Sequence, residues 1–159
     1  MARIPLPEGD LPERYRVFGL QPAFGKAMAG VSDAIYEKSL LDKRVREAVR
    51  MRIALINECQ LCLGYRFPEL QAVGVDEAFY EAVKDWRNSD VFSEKEKTAI
   101  EYAERFLLDH TNIDDAFFQR LAQHFSAAEI FDLSAVIAGL LANGRLMQVL
   151  QVEQGACAI

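Results

Sequence analysis

The chain has 159 residues, of which 51% are apolar and 26% are charged, so it can bury a core of its own and is not intrinsically disordered. The formal charge of −6 provides no general attraction for nucleic acid or for an anionic membrane surface. Three cysteines are an odd number, which argues against a paired disulfide framework, and two histidines leave few ligands for a structural zinc centre.

Apolar residues recur at helical spacing along most of the chain, whereas alternating apolar and polar runs are rare. The sequence therefore predicts one all-α domain over residues 1–159. The first half is expected to begin with a short helix from Leu11 to Val17, capped by Asp10, followed by a helix from Pro22 to Glu37 and a helix from Asp42 to Asn57. The next helical segment runs from Cys59 to Val73; Pro68 should kink or split it, and Gly74 should end it. A further helix is expected from Asp76 to Trp86.

Two capping boxes organise the second half of the chain, and they begin at Ser93 and at Ser126. The first opens a helix that runs to about His110, and Asn112 is expected to cap the next helix. The second opens a helix whose segment 130–142 is apolar nearly all round. Such a helix belongs either at the centre of a bundle or in a subunit interface.

The beginning of the chain carries charges and prolines and has no apolar run of signal-peptide length. The uncharged apolar stretch between Asp132 and Arg145 is shorter than the ~20 residues that a bilayer requires. We therefore expect a soluble cytoplasmic protein that binds neither membrane nor nucleic acid. In that reducing compartment a close cysteine pair is more often catalytic or metal-binding than structural.

Cys59 and Cys62 form a C-x-x-C pair at a predicted helix junction. The N-terminus of a helix presents free N–H groups and partial positive charge, which stabilise a thiolate, and a second nearby thiol can close a disulfide. The pair can therefore cycle between dithiol and disulfide. Two alternatives remain: two buried small residues in a helical hairpin, or a zinc site, although no second Cys or His pair stands at ligand spacing.

Two charged residues flank this pair. Arg66 follows Cys62 by four residues, so on a continuous helix its guanidinium lies on the same face and lowers the thiol pKa. Glu47 precedes Cys59 by twelve residues, roughly 18 Å along a straight helix. It meets the thiols only if the chain folds back near Asn57 or if helices cross tightly.

Glu47, Cys59, Cys62 and position 66 match the pattern E-x11-C-x-x-C-x3-H, and the chain thereby resembles the AhpD-like alkylhydroperoxidases of the carboxymuconolactone decarboxylase family. The resemblance covers roughly residues 25–150 and leaves residues 1–20 as an N-terminal arm. Flanking segments agree with the family pattern as well: Leu55-Ile56-Asn57, Ala72-Val73-Gly74-Val75, Phe92-Ser93 with Glu96, and Asn143-Gly144-Arg145.

The resemblance implies an AhpD-like all-α helical bundle that forms homo-oligomers, from dimers through trimers to hexamers. It also implies a thiol-dependent peroxidase or disulfide reductase, in which Cys62 attacks a small hydroperoxide or disulfide, Cys59 resolves the sulfenic acid and Glu47 belongs to a proton relay. A dithiol donor, such as a lipoyl protein or a thioredoxin-like protein, reduces the pair again. No cofactor and no metal are expected.

One residue departs from the family pattern, because Arg66 occupies the place of a histidine. Arginine stays protonated and cannot accept the thiol proton, so that role falls to Glu47 or to water held by it. The helix terminus favours Cys59, the cysteine nearer the N-cap, as the thiol of low pKa, whereas the resemblance favours Cys62 as the attacking residue. We follow the resemblance, since Arg66 is expected beside Cys62.

Two other functions stay open at this point. The namesake decarboxylases act on a lactone acid without a redox step, and Arg66 with the basic run 43–52 would then bind a substrate carboxylate. Alternatively, a non-enzymatic helical oligomer senses oxidants through its cysteine pair. His110 and His124 lie near predicted helix ends, where a cation stabilises the helix dipole. Cys157 lies in the C-terminal tail and is not expected to have a role. Arg145 matches a recurrent family position and belongs either to the site or to a subunit contact.

Overall fold

A computed structural model describes residues 2–152, and its secondary structure is helical throughout, with no β-strand in that range. The predicted all-α class is therefore confirmed. The eight α-helices are α1 (Glu13–Arg16), α2 (Pro22–Asp33), α3 (Lys43–Ile56), α4 (Gln60–Gly64), α5 (Glu77–Ala82), α6 (Glu94–Leu108), α7 (Asp115–Ala122) and α8 (Ala127–Val149). Four 3-10 turns (Val17–Leu20, Pro68–Val73, Val83–Asp85, His110–Asn112) and one π-helical turn (Ala34–Lys38) connect them.

The predicted start and stop signals act largely as expected. Ser93 and Ser126 each accept a hydrogen bond from the backbone three residues on and complete capping boxes for α6 and α8. Gly74 adopts the left-handed conformation, with φ of 77°, and ends the 3-10 turn before it. The split at Pro68 is confirmed, since α4 ends at Gly64 and Pro68 opens a separate 3-10 turn.

Two predicted helix starts are wrong. The first helix begins at Glu13 behind Pro12 without a side-chain cap, so Asp10 does not cap it. The reason is that Pro12 disfavours a helical conformation at Leu11. The cap of α7 is Asp114, whose carboxylate accepts the Phe117 amide at 2.9 Å, and not Asn112, which belongs to the preceding 3-10 turn.

Helix α3 lies at the centre of the bundle, because its two faces pack into two different apolar clusters. Val45, Val49 and Ile53 join the cluster formed with α6, α7 and α8. Ala48, Met51 and Ala54 join a second cluster around Phe79, Trp86 and Ile100. A helix buried on both faces is a rigid base, and α3 carries the polar residues that later form the candidate site.

Helix α8 is not the central helix, although it is the most apolar. Leu133, Val136 and Ile137 are buried, whereas Phe131 is 76% exposed and Val149 is 62% exposed. Among the described residues, α8 alone is long and apolar enough to cross a membrane, and this is a statement of length and composition only. Helix α8 packs against α2, α3, α6 and α7, and within residues 2–152 part of its surface stays exposed, including Phe131 and Val149.

Candidate functional site

The cysteine pair lies at a sharp reversal of the chain after α3. Asn57 ends α3, Glu58 adopts a positive φ of 52°, and the Cys59 amide donates to the carbonyl of Ala54 at 3.0 Å. The chain then runs into α4, for which Cys59 is the N-cap. The placement of the C-x-x-C pair at a helix N-terminus is therefore confirmed, and the chain reverses its direction near Asn57.

The two sulfurs lie 2.6 Å apart, and both cysteines are free thiols in the structure. The Cys59 sulfur also accepts the backbone N–H of Cys62 at 3.4 Å. Cys59 is only 3% exposed, whereas Cys62 is partly exposed. Cys62 is thus the sulfur that a small molecule reaches more easily, and Cys59 is the more deeply buried of the two.

The thiol pKa values of the pair move in opposite directions. The contact between the two sulfurs, helped by backbone N–H groups and by the Arg50 charge, lowers the pKa of Cys59 to about 6 against the opposing effect of burial. The same contact, together with burial, raises the pKa of Cys62. Near neutral pH the pair therefore shares one proton and carries one negative charge.

Beneath the pair, α3 carries a buried charge network. Glu47 is 2% exposed and Arg50 is 5% exposed, and they bind each other through two hydrogen bonds of 2.8 and 2.6 Å. The hydroxyl of Tyr80 donates to the same Glu47 carboxylate at 2.8 Å. Burial and the Glu47 charge raise the pKa of Tyr80 to about 12, so this hydroxyl keeps its proton at neutral pH.

Arg50 connects this network to α4, the short helix that begins after Cys59. Its Nη1 donates to the carbonyl of Cys62 at 2.7 Å, and its Nη2 donates to the carbonyl of Tyr65 at 3.3 Å. Burial alone lowers the pKa of Arg50, but the hydrogen bonds and charge of Glu47 more than offset this and raise it, which keeps the guanidinium charged. Within residues 2–152 neither sulfur is hydrogen-bonded to Glu47, so Glu47 influences the thiols through Arg50.

Arg66 does not stand where a continuous helix would place it. Because α4 ends at Gly64 and Tyr65 has an extended backbone, the expected i, i+4 approach to Cys62 is wrong. The guanidinium of Arg66 instead pairs with Glu77 at 2.7 Å and stacks over the ring of Tyr80, 4.0 Å from its centroid. The cation near the sulfurs is Arg50, which in the sequence is only one member of the basic run 43–52.

An apolar cavity of about 400 Å³ opens onto the thiol pair. Besides both cysteines and Arg50, its walls are mainly aromatic and aliphatic: Tyr36, Ile53, Leu61, Tyr65, Phe67 and Leu140. A second cavity of about 300 Å³ shares Tyr36, both cysteines and Leu140, and its outer wall is the N-terminal segment with Arg14, Tyr15 and Phe18. The pair is therefore reached from two sides, and Tyr36 borders both.

Three residues of the site were not identified in the sequence: Arg50, Tyr80 and Tyr36. Arg50 follows Glu47 by three residues on the same helix, which is a usable signal for an ion pair. Tyr80 and Tyr36 come from distant segments and meet the site only through tertiary packing.

The other candidate residues lie apart from the thiols or support the turn that holds them. His110 lies in an exposed 3-10 turn, and His124 borders a surface hollow beside α6 and α7. The Arg145 side chain donates to the Asn57 side chain at 3.4 Å and so braces the turn before Cys59. Cys157 lies outside the described residues. Within residues 2–152 no group of three His, Cys, Asp or Glu side chains could hold a metal ion.

Comparison with known proteins identifies the family. The model of the carboxymuconolactone decarboxylase family matches residues 22–105. The uncharacterized protein YnjA of Escherichia coli (strain K12) is 34% identical over 125 residues, which are 77% of this chain and 68% of that protein. The chain therefore belongs to the carboxymuconolactone decarboxylase family.

Solved structures show the same fold at low sequence identity. An uncharacterized peroxidase-related protein from Ralstonia eutropha JMP134, described as an alkylhydroperoxidase AhpD core, superposes with a TM-score of 0.79 at 17% identity, over 96% of this chain and 91% of that one. The debrominase Bmp8 in its apo form superposes with a TM-score of 0.76 at 20% identity, over 90% of this chain and 77% of that one. The AhpD-like architecture is thereby confirmed.

Proposed function

We propose that the protein is a thiol-dependent oxidoreductase that reduces small organic hydroperoxides, or small disulfides, through a dithiol–disulfide cycle of Cys59 and Cys62. One observation carries the proposal: the two free sulfurs lie 2.6 Å apart at a helix N-terminus and both line an apolar cavity. A thiolate that is present at neutral pH is the nucleophile that such a cycle needs.

Cys62 is the attacking residue in this proposal because it is the more exposed sulfur. The proton of Cys62 passes to the Cys59 thiolate across their short contact. Cys59 therefore acts as the base, a role that Arg66 cannot fill because its guanidinium stays protonated. The Cys62 thiolate then attacks the terminal peroxide oxygen, and the O–O bond breaks. Cys62 becomes a sulfenic acid, and the alkoxide leaves as an alcohol after it gains one proton.

Resolution consumes the second thiol. The Cys59 sulfur attacks the sulfenic sulfur of Cys62, the S–S bond forms, the S–O bond breaks, and the Cys59 proton leaves with the hydroxide as water. The two cysteines lose two electrons and the peroxide gains them, so the sum is balanced. A dithiol donor, either a lipoyl protein or a thioredoxin-like protein, returns the two electrons by thiol–disulfide exchange.

Three charged residues support this chemistry in different ways. Arg50 holds positive charge close to the pair and fixes the carbonyl of Cys62. Glu47 holds Arg50 in place through its two oxygens. Arg66 is a positioning residue, since its Nη1 donates to the carbonyls of Leu63 and Tyr65 at 2.7 and 3.1 Å, where α4 ends.

The decarboxylase alternative finds less support in these contacts. It requires a cation that can receive a substrate carboxylate, but Arg50 is already bound to Glu47 and Arg66 to Glu77. A substrate carboxylate at Arg50 would have to displace a buried ion pair and leave Glu47 unpaired. Arg66 is paired with an exposed Glu77 and lines neither cavity beside the thiols.

A homo-oligomer belongs to the same proposal. On α8 the exposed residues from Phe131 onward recur at helical spacing and form one stripe, which is small and apolar except for Arg145: Phe131, Ala135, Ala138, Ala142, Arg145 and Val149. A stripe of small and apolar side chains lets a second helix approach closely, and burying it removes apolar surface from water. We propose that α8 of a second copy covers it.

Steady-state reduction of tert-butyl hydroperoxide with dihydrolipoamide tests the function. A Cys157→Ser background removes the third thiol, and in it the intact pair is compared with Cys62→Ser and Cys59→Ser. We expect multiple turnovers for the intact pair, no peroxide consumption for Cys62→Ser, and at most one turnover for Cys59→Ser. Equal rates in all three proteins would contradict the proposal, and a single turnover of the intact pair under excess donor would favour the redox sensor.

A further inference from the structure

The proposed cycle leaves one requirement without an assigned residue: the alkoxide that departs from the peroxide must gain a proton. Displacement at oxygen is in line, so the leaving oxygen points away from the Cys62 sulfur and into the cavity. Cys59 is only 3% exposed, and the proton that it takes from Cys62 leaves with water in the resolving step, so this proton does not serve the alkoxide. The proton donor must therefore come from the facing wall.

Several proton-bearing groups around the site are already committed. The hydroxyl of Tyr80 donates to Glu47, and the guanidinium of Arg50 is bound to Glu47 and to two carbonyls. Arg66 is bound to Glu77 and to two carbonyls. Neither histidine borders the thiol cavities.

Glu37, Tyr65 and Tyr15 also carry acidic groups, but each lines only one of the two cavities. Tyr36 is therefore the acidic side chain best placed beside the pair. It lines both cavities next to the cysteines, and its hydroxyl makes no hydrogen bond to another residue of the described chain. Its ring is held from two sides, because Phe67 lies 5.4 Å away and the Arg46 guanidinium lies 5.6 Å from its centroid. A fixed ring with an uncommitted hydroxyl is what positioned proton transfer requires.

The backbone around Tyr36 also adopts an unusual conformation. Tyr36 lies in the π-helical turn Ala34–Lys38, a rare form that occurs frequently at functional sites. Arg46 of α3 donates to the carbonyls of Ile35 and Tyr36 at 3.1 and 3.0 Å and so fixes the turn to the central helix. Two of the carbonyls in this turn thereby gain a charged partner, which holds the turn in place.

We infer that the phenol of Tyr36 is the proton donor to the leaving oxygen of the hydroperoxide, a role that rests on the proposed function. Burial raises the pKa of Tyr36 to about 12, with smaller and opposing effects of Arg50 and Glu47. The phenol therefore stays protonated at neutral pH. It is still a far stronger acid than an alcohol, which resembles water with a pKa of about 15.7, so transfer to an alkoxide is downhill. Solvent then returns the proton to the phenolate.

The test uses two oxidants that differ in the leaving group. tert-Butyl hydroperoxide releases an alkoxide, which needs a proton, whereas peracetic acid releases a carboxylate, which does not. The single-turnover rate of disulfide formation is measured for each oxidant in wild type and in Tyr36→Phe. We expect Tyr36→Phe to lose at least about tenfold with the alkyl hydroperoxide and to keep the wild-type rate with the peracid.

Tyr102→Phe is the matched control, because it also removes one phenol hydroxyl, but from a core position bonded to Ser134 at 2.9 Å. It should behave as wild type with both oxidants. An equal loss with both oxidants in Tyr36→Phe, or no loss with either, would overturn the inference while leaving the peroxidase proposal intact. A wild-type protein that reacts with neither oxidant would instead overturn the function on which the inference rests.

Discussion

The carboxylate of Glu47 and the guanidinium of Arg50 form a two-point ion pair, 2.8 and 2.6 Å long, although each side chain is at most 5% exposed. A pair in this position is costly to create and very costly to break, because removing one partner leaves an uncompensated buried charge. Arg50 also donates to the carbonyl of Cys62 at 2.7 Å, so the ion pair is in contact with α4.

The first prediction concerns this pair. Arg50→Met should lower the free energy of unfolding by about 3–5 kcal/mol, since Glu47 remains buried without a partner. The double variant Glu47→Gln with Arg50→Met should regain part of that loss, because no bare charge is left. Urea denaturation of the wild type, both single variants and the double variant measures the coupling, and strictly additive losses would show that the ion pair is not the cause.

The second prediction concerns the pH dependence of the thiols. A cysteine is charged when deprotonated, so the lowered pKa of Cys59 means that thiolate is present above about pH 6 and is lost below it. In the Cys157→Ser background the alkylation rate should therefore rise with a midpoint near 6. In Cys62→Ala the midpoint should move upward, because a methyl group cannot replace the sulfur contact that lowers the pKa of Cys59. A midpoint near the ordinary cysteine value of ~8.5 in the intact pair would contradict the assignment.

The third prediction separates the two arginines. Arg66→Gln should leave the midpoint of thiol alkylation unchanged, because the guanidinium is bound to Glu77 and Tyr80 and not to a sulfur. Arg50→Met should raise it, because a positive charge near Cys59 is lost. Glu77→Gln is the control for Arg66, since it breaks the same ion pair from the other side. An upward shift in Arg66→Gln that is absent in Glu77→Gln would restore the direct role expected from the sequence.

A fourth prediction uses two glycines of α2. A Cβ on Gly25 would lie 2.7 Å from the carbonyl oxygen of Phe18, a backbone atom that cannot move aside, whereas a Cβ on Gly30 meets nothing within 4 Å. Gly25→Ala should therefore destabilise the protein by about 1–3 kcal/mol. Gly30→Ala should stabilise it by up to about 1 kcal/mol through helix propensity alone. Thermal unfolding of the two variants makes the comparison, and a stabilised Gly25→Ala would show that the N-terminal segment does not pack as described.

The fifth prediction tests the proposed homo-oligomer. Ala138→Glu places a charge in the middle of the exposed stripe of α8 and should shift sedimentation equilibrium toward the single chain. Gln71→Glu adds the same charge on an exposed 3-10 turn and should leave the association state unchanged. A wild-type protein that sediments as a single chain at all concentrations would contradict the proposal.

Local signals predicted much of the fold. Helix caps and breakers act over three or four residues, so the neighbouring sequence is enough to predict them. The structure confirms this for Ser93, Ser126, Gly74 and Pro68. The placement of Cys59 at a helix start comes from the same local reasoning. Asn112 and Asp114 show the limit, because both are good caps within three residues and only packing of α7 decides between them.

The polar part of the site could not be predicted in the same way. The error at Arg66 arose from assuming that a helix continues past Gly64, where the backbone becomes extended. Arg50 was visible only as one of several basic residues, since its burial depends on the reversal after Asn57. Tyr36 and Tyr80 lie 26 residues before and 18 residues after Cys62 (62 − 36 and 80 − 62), and no periodic pattern connects such distances.

The N-cap position of Cys59 makes the start of α4 sensitive to oxidation. In the reduced protein the Cys59 sulfur accepts the Cys62 amide and carries the negative charge that complements the positive end of α4. In the disulfide that charge is gone, and the five-residue helix loses its cap while it gains a covalent tether. The redox state should therefore change local mobility: we expect amide hydrogen exchange in α4 to be faster in the oxidised protein. Equal exchange in both states would show that the tether fully replaces the cap.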